Sequence, residues 1–290
     1  MSEAISAPVP ETWLPPVGPR HMVAAVRTVW LRELILFSRS GLRLVMAFVQ
    51  PLLFLFVLGT GLSSLVAGGA LHGTIGFRTF MYPGVLAFAV LMPSFFSAGS
   101  VVWDREFGFL REMLVAPVPR SAIVIGKCLG GATVATGQAA VLLLLVGAVD
   151  VPYDPLMLLA LLGELFLLSF TLVAGGVAAA ARITQFQSFM AVVQLILFPL
   201  IFLSGALFPL SGLPAWLAVL TRLDPITYAV DPLRRTVFST LDLSAATQRI
   251  VAPGVTWWGW HVPLALELVI VAGMGLALLA LAIWQFRGTE

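Results

Sequence analysis

LMLLALLGELFLLSFTLVAGGVAAAA, residues 156–181, carries one ionisable side chain, Glu164, and stops at Arg182. At 1.5 Å per residue, such a run crosses a hydrocarbon core of about 30 Å as one helix. Its apolar residues are continuous, whereas a barrel strand alternates. Five further runs read the same way: 44–66 with Pro51, Gly59 and Gly61; 80–103 with Pro83 and Pro93; 128–149 without a charge; 186–209; and 262–286 with Glu267 near its start. The whole chain of 290 residues is 60% hydrophobic and 10% charged. A soluble domain carries about 25% charged residues. The expected fold is an all-α membrane protein with six transmembrane helices.

Three kinds of chemistry are excluded by composition. One cysteine and three scattered histidines, at 21, 72 and 261, offer no disulfide and no metal spacing. A net charge of +2 gives nucleic acid nothing to bind. The sole lysine, Lys127 in SAIVIGKC, lacks the first glycine and the Ser/Thr of a P-loop. No G-x-S-x-G, no HExxH and no paired carboxylates stand out. Catalysis by this chain alone is not expected, nor is a cofactor of its own.

Lysine and arginine set orientation. With six spans, eleven basic residues fall on the side of the termini and five on the other, so both termini are expected in the cytoplasm. Residues 1–20, rich in proline, read as a disordered cytoplasmic tail ahead of a transmembrane domain over 21–287. Residues 21–40 keep apolar spacing at 23, 26, 30, 34 and 37 and read as an interfacial helix.

Glu164 sits inside the fourth run, where a charge costs at least ~2.5–3.5 kcal/mol. It either contacts substrate or protons or makes a hydrogen bond across helices. Glu267 reads as solvated near the outer interface. Gln138 and Gln194 read as polar glue between helices, and Gly130-Gly131 and Gly175-Gly176 as points of close packing.

The charge that the spans lack gathers in DREFGFLREMLVAPVPR, residues 104–120. Phe107, Leu110, Met113 and Leu114 form an apolar stripe at helical spacing. Asp104, Arg105, Glu106, Arg111 and Glu112 lie mostly off it. Acids among the bases fit a protein surface better than lipid headgroups. Pro117 and Pro119 end the helix.

Between the last two runs, residues 207–238 are too polar to span and too apolar for an exposed loop. They read as a re-entrant outer helical hairpin between helices 5 and 6. PAWLAVLTRL gives a short helix that stops before Asp224-Pro225. Tyr228 and Asp231 share a helix face, and Asp231 precedes Pro232, so a turn there exposes its carboxylate. With Asp224 and Arg234 they form a candidate outer gate. TWWGWH, 256–261, reads as an aromatic belt.

REFGFLREMLVAPVPRSAIVIGK and LDPITYAVDPLRR resemble the cytoplasmic loop and the outer segment of ABC-2-type permeases, the membrane subunits of bacterial ABC exporters. The subgroup resembled is that of daunorubicin/doxorubicin resistance, then polysaccharide and lipooligosaccharide export. The resemblance implies a homodimer of permeases in the inner membrane, with two copies of an ABC ATPase that hold ATP and Mg. It implies that the coupling segment 104–120 docks on that ATPase, through Asp104, Arg105, Glu106, Phe107, Leu110, Arg111, Glu112 and Leu114, and that spans one, two and five line the path of an amphiphilic substrate. Two other readings remain open at this stage: a proton-coupled transporter using Glu164, and a membrane-embedded lipid-modifying enzyme.

Overall fold

The structure, a computed structural model, describes residues 18–39, 41–61, 75–108, 118–206, 214–244, 247–248, 251–257 and 260–287. The expected tail therefore lies outside the described residues, save Gly18 to Arg20. Helix α1 (Pro19–Ser38) starts with Pro19 in its first turn, where a missing N–H costs nothing. Helix α2 (Gly41–Leu53) contains Pro51 and passes through a π-helical turn, Phe54–Leu58, into Gly59–Gly61. Proline removes a rung from the hydrogen-bond ladder, and a widened turn follows it here.

Four helices among the described residues are long and apolar enough to cross a membrane. These are α3 (Phe77–Glu106), α5 (Pro155–Ala180), α6 (Phe186–Leu203) and, over Leu264–Phe286, α9 (Leu264–Arg287). Helix α4 (Arg120–Leu143) has the length as well, but it carries Arg120, Lys127 and Gln138. It begins well before the expected Cys128 and gives way to a 3-10 turn at Val146–Val149. Two short helices, α7 (Ala215–Leu223) and α8 (Thr227–Ser239), precede a small antiparallel ribbon. In it β1 (Thr256–Trp257) pairs with β2 (Trp260–His261), so part of the expected aromatic belt is a pair of facing tryptophans, Trp257 and Trp260.

The core lies where α3, α4, α5 and α9 meet, with α1 along α4. Small residues set those distances. Gly126 and Gly130, one turn apart, form a groove for α1. A Cβ on either would come within 2.7 Å of Val29 Cβ or Glu33 Cβ respectively. A Cβ on Gly176 of α5 would meet Ala98 Cβ of α3 at 2.5 Å. The expected packing role of Gly130 and Gly176 is therefore visible as contact. In contrast, α6 leaves Leu195, Ile196, Phe198 and Phe202 exposed, and Gln194 is exposed with them.

Two substitutions in α4 separate packing from helix propensity. Gly137 has nothing within 4 Å of a built Cβ. Gly137→Ala should leave thermal stability in detergent unchanged or raise it by up to about 1 kcal/mol. Gly130→Ala should lower it by about 1–3 kcal/mol through overpacking against Glu33. Fluorescence-detected size exclusion after heating reads both.

Candidate functional site

The last turn of α3 holds Asp104, Arg105 and Glu106, and each fastens a different part of the bundle. Asp104 Oδ2 lies 2.8 Å from Lys127 Nζ of α4. Its Oδ1 and Oδ2 accept from Arg32 of α1 at 3.1 and 3.3 Å, a two-pronged contact. Lys127 also reaches Glu33 Oε1 at 3.1 Å and donates to Ser100 Oγ at 2.8 Å. Lys127, Asp104 and Glu33 are all buried. With Arg32 the cluster holds two cations and two carboxylates, so it is neutral as a unit. Burial alone lowers the Arg32 pKa, but the Asp104 carboxylate outweighs it and holds the guanidinium above its ordinary value.

Arg105 donates to the carbonyls of Ala180 and Ile183, at 3.2 and 3.1 Å. These lie at the C-terminal end of α5, where helical carbonyls lack partners and a cation is favoured. Glu106 Oε2 accepts the backbone N–H of Phe186 at 3.1 Å. Phe186 is the first residue of α6, and a carboxylate belongs at that end for the same reason. Three consecutive side chains thus join the end of α3 to α1 with α4, to α5 and to α6.

This differs from the expected outward display of charge. Asp104 and Arg105 point into the bundle, and Glu106, though exposed, caps α6. The expected helix through Phe107 also ends early: Gly108 takes φ 84°, a left-handed conformation that stops α3 and suits glycine. Phe107 is exposed beside Trp103, at 5.0 Å between rings. Leu110, Arg111, Glu112 and Leu114 lie outside the described residues. Lys127 was legible only as the lone lysine at the edge of a span. Because α4 starts at Arg120, that lysine is two turns inside a helix, facing the lone acid of α1.

At the opposite end, α8 gathers the outer candidates. Asp231 lies 2.6 Å from Arg235, which also reaches Glu267 of α9 at 3.2 Å and donates to the Val262 carbonyl at 3.0 Å. The Val255 N–H donates to Asp231 at 3.3 Å. Pro232 sits inside α8, so no turn exposes Asp231, which is buried. Glu267, expected in solvent, is fully buried where α8 packs on α9. Arg235 joins these two acids, and its spacing to Asp231, one turn away on α8, was the available signal.

Arg234 donates to the Gly205 carbonyl at 2.6 Å and stands 4.9 Å above the Phe80 ring. Tyr228 donates to the Arg222 carbonyl at 2.7 Å and accepts from Trp257 Nε1 at 2.9 Å. Asp224 accepts from the Ile226 N–H at 2.9 Å and from Thr227 at 3.4 Å. Burial pushes its carboxyl up to about 7, against those two hydrogen bonds. Glu164 Oε1 accepts from Thr236 of α8 at 2.7 Å, and its Oε2 has no partner among the described residues. Glu164 and the four candidates of the expected outer gate are all buried around α8. Among the described residues no cluster of His, Cys, Asp or Glu could hold a metal ion.

The family model for ABC-2 type transporters matches residues 24–238, from α1 through α8. The chain belongs to the ABC-2 type transporter family. It is 29% identical over 214 residues to the transport permease ycf38 of Cyanophora paradoxa, covering 70% of each chain. It is 26% identical to the inner membrane transport permease YadH of Escherichia coli K12, covering 72% of this chain and 81% of YadH. A third similarity, 30% over 179 residues, is to an E. coli K12 permease, YbhR, named for multidrug ABC transport, over 58% of this chain and 46% of YbhR. The permease is a multi-pass membrane protein and the transport subunit, not an enzyme, of an ABC transporter. The family implies an ABC ATPase as partner.

Removing Lys127 leaves Asp104 and Glu33 buried with Arg32 as the remaining cation. Breaking a buried pair from one side costs about 3–5 kcal/mol. Lys127→Met should therefore lower the thermal midpoint of the purified permease far more than Arg32→Met. The Arg32 side chain is 36% exposed. Its loss should cost about 1 kcal/mol or less, since solvent screens the site.

Proposed function

We propose that this permease is half of an ATP-driven exporter: two copies of the chain, with two ABC ATPases holding ATP and Mg, carry an amphiphile outward across the inner membrane. Six spans cross that membrane and both termini lie in the cytoplasm. The substrate path runs between permease copies along α2, α3 and α6, the spans numbered one, two and five. Gly205, at the end of α6, meets Arg234 at the outer end. The outer cluster around Asp224, Tyr228, Asp231 and Arg234 then acts as a gate by holding α8 against α3, α6 and α9.

The observation that supports this reading is the triple fastening at Asp104, Arg105 and Glu106. Residues 109–114 follow at once in the chain. A partner docking there pulls on the end of α3, and the three side chains pass the displacement to α1, α4, α5 and α6 together. Differential ATP affinity for the two states supplies the bias. Glu164 acts in this scheme as an interhelical hydrogen-bond acceptor for Thr236, with no proton-carrying role.

Two measurements test it. With the permease and its ATPase co-expressed, Leu110→Ala with Leu114→Ala should reduce ATPase co-purification. Arg105→Met should preserve co-purification but lower transport per ATP hydrolysed at least several-fold. Undiminished transport in Arg105→Met means that the fastening is not the transmission. Orientation is read separately: reporter fusions at Glu290 and Gly69 should give opposite signals, and equal signals contradict six spans.

A further inference from the structure

Helix α1 has two faces. Trp30 and Glu33 lie on the side held by α4, and Trp30 Nε1 donates to Thr133 at 3.0 Å. On the opposite side, by helical position, Ala24, Leu31 and Ile35 run along the middle. Arg20 and Arg27 border that strip on one flank, and His21 and Arg39 on the other. All seven are exposed, Leu31 at 38% and Ile35 at 50%. The guanidinium groups of Arg20, Arg27 and Arg39 have no ion pair or hydrogen bond among the described residues. Glu33, the only acid of α1, is buried against Lys127, and Arg32 is committed to Asp104. The exposed face thus carries cations and no anion.

We propose that this face is a docking surface for anionic phospholipids. An apolar strip with cations on both margins is the complement of a leaflet surface, oil beneath a plane of phosphates. Leu31 and Ile35 enter the acyl boundary while the three arginines reach phosphates on either side of the helix. A zwitterionic headgroup answers each phosphate with an ammonium, so net anionic lipid is selected. The groove of Gly126 and Gly130 and the Lys127 cluster hold α1 rigidly enough to present the arginines in fixed positions. Lipid composition then acts on the same helix to which the end of α3 is fastened.

The test uses the full-length permease in neutral detergent, titrated with dioleoylphosphatidylglycerol or dioleoylphosphatidylcholine and read by native mass spectrometry. Wild type should retain the phosphatidylglycerol in preference by about tenfold or more, and salt should weaken that preference. Arg20→Gln with Arg27→Gln and Arg39→Gln should bring it close to parity. These exposed positions leave the core intact, and an unchanged thermal midpoint checks this. Leu31→Gln with Ile35→Gln should weaken retention of both lipids. Equal retention of the two lipids by wild type overturns the proposal, as does an unchanged preference in the triple arginine variant. Loss of ATPase co-purification in that variant, with lipid preference intact, also overturns it and gives the face to a protein partner.

Discussion

The Lys127 ammonium is 2% exposed, and that fixes much of what surrounds it. A buried charge is tolerated only when paired and hydrogen-bonded. Three oxygens meet the condition: Asp104, Glu33 and Ser100. They come from α3 and α1, so both helices must sit at one rotational setting on α4. Apolar packing alone would tolerate several settings, since lipid tails are as apolar as the helices themselves. The two glycines beneath α1 allow the approach that these bonds need, because a Cβ at either would push Val29 or Glu33 away. Packing and charge therefore specify the same geometry.

Next to that lysine's partner, two further residues extend the connection. Arg105 and Glu106 complete the exposed ends of α5 and α6 with charge of the appropriate sign for each terminus. Backbone groups at helix ends need partners wherever water is scarce. Here those partners come from one turn of a third helix. One short segment joins α1, α4, α5 and α6 to α3 at this end, while Arg120 of α4 donates to the Phe286 carbonyl of α9 at 3.1 Å; the chain leaves that segment through Gly108 into the stretch that resembles an ATPase-docking loop.

The opposite end of the bundle uses a similar device with different geometry. Arg235 holds Asp231 and Glu267 together, while Arg234, its neighbour in sequence, turns toward Phe80 and the Gly205 carbonyl. Successive residues on a helix point about 100° apart, so two adjacent arginines can join α8 to different neighbours. Short helices such as α7 and α8 are marginal in isolation. These buried polar contacts, with the Trp257–Tyr228–Arg222 chain of hydrogen bonds, keep the two helices in place.

The spans over 77–106, 155–180, 186–203 and 264–286 were legible in the sequence because a hydrocarbon core demands about 20 apolar residues in a row. The halt of α7 at Asp224 was legible because proline restricts the residue before it. The gathering of Glu164, Asp224, Tyr228, Asp231 and Arg234 near α8 was partly legible, since four of them lie in one segment. Tertiary structure alone decided which way charges face. A sequence counts Asp104, Arg105 and Glu106 as exposed loop residues, because charge is ordinarily solvated. Their partners lie some seventy to eighty positions away for Arg32, Ala180, Ile183 and Phe186, and 23 for Lys127. Glu267 was misjudged for the same reason: nothing local shows that α8 will pack over it. Period and propensity are local quantities, whereas the pairing of buried charges depends on which helices fold against one another.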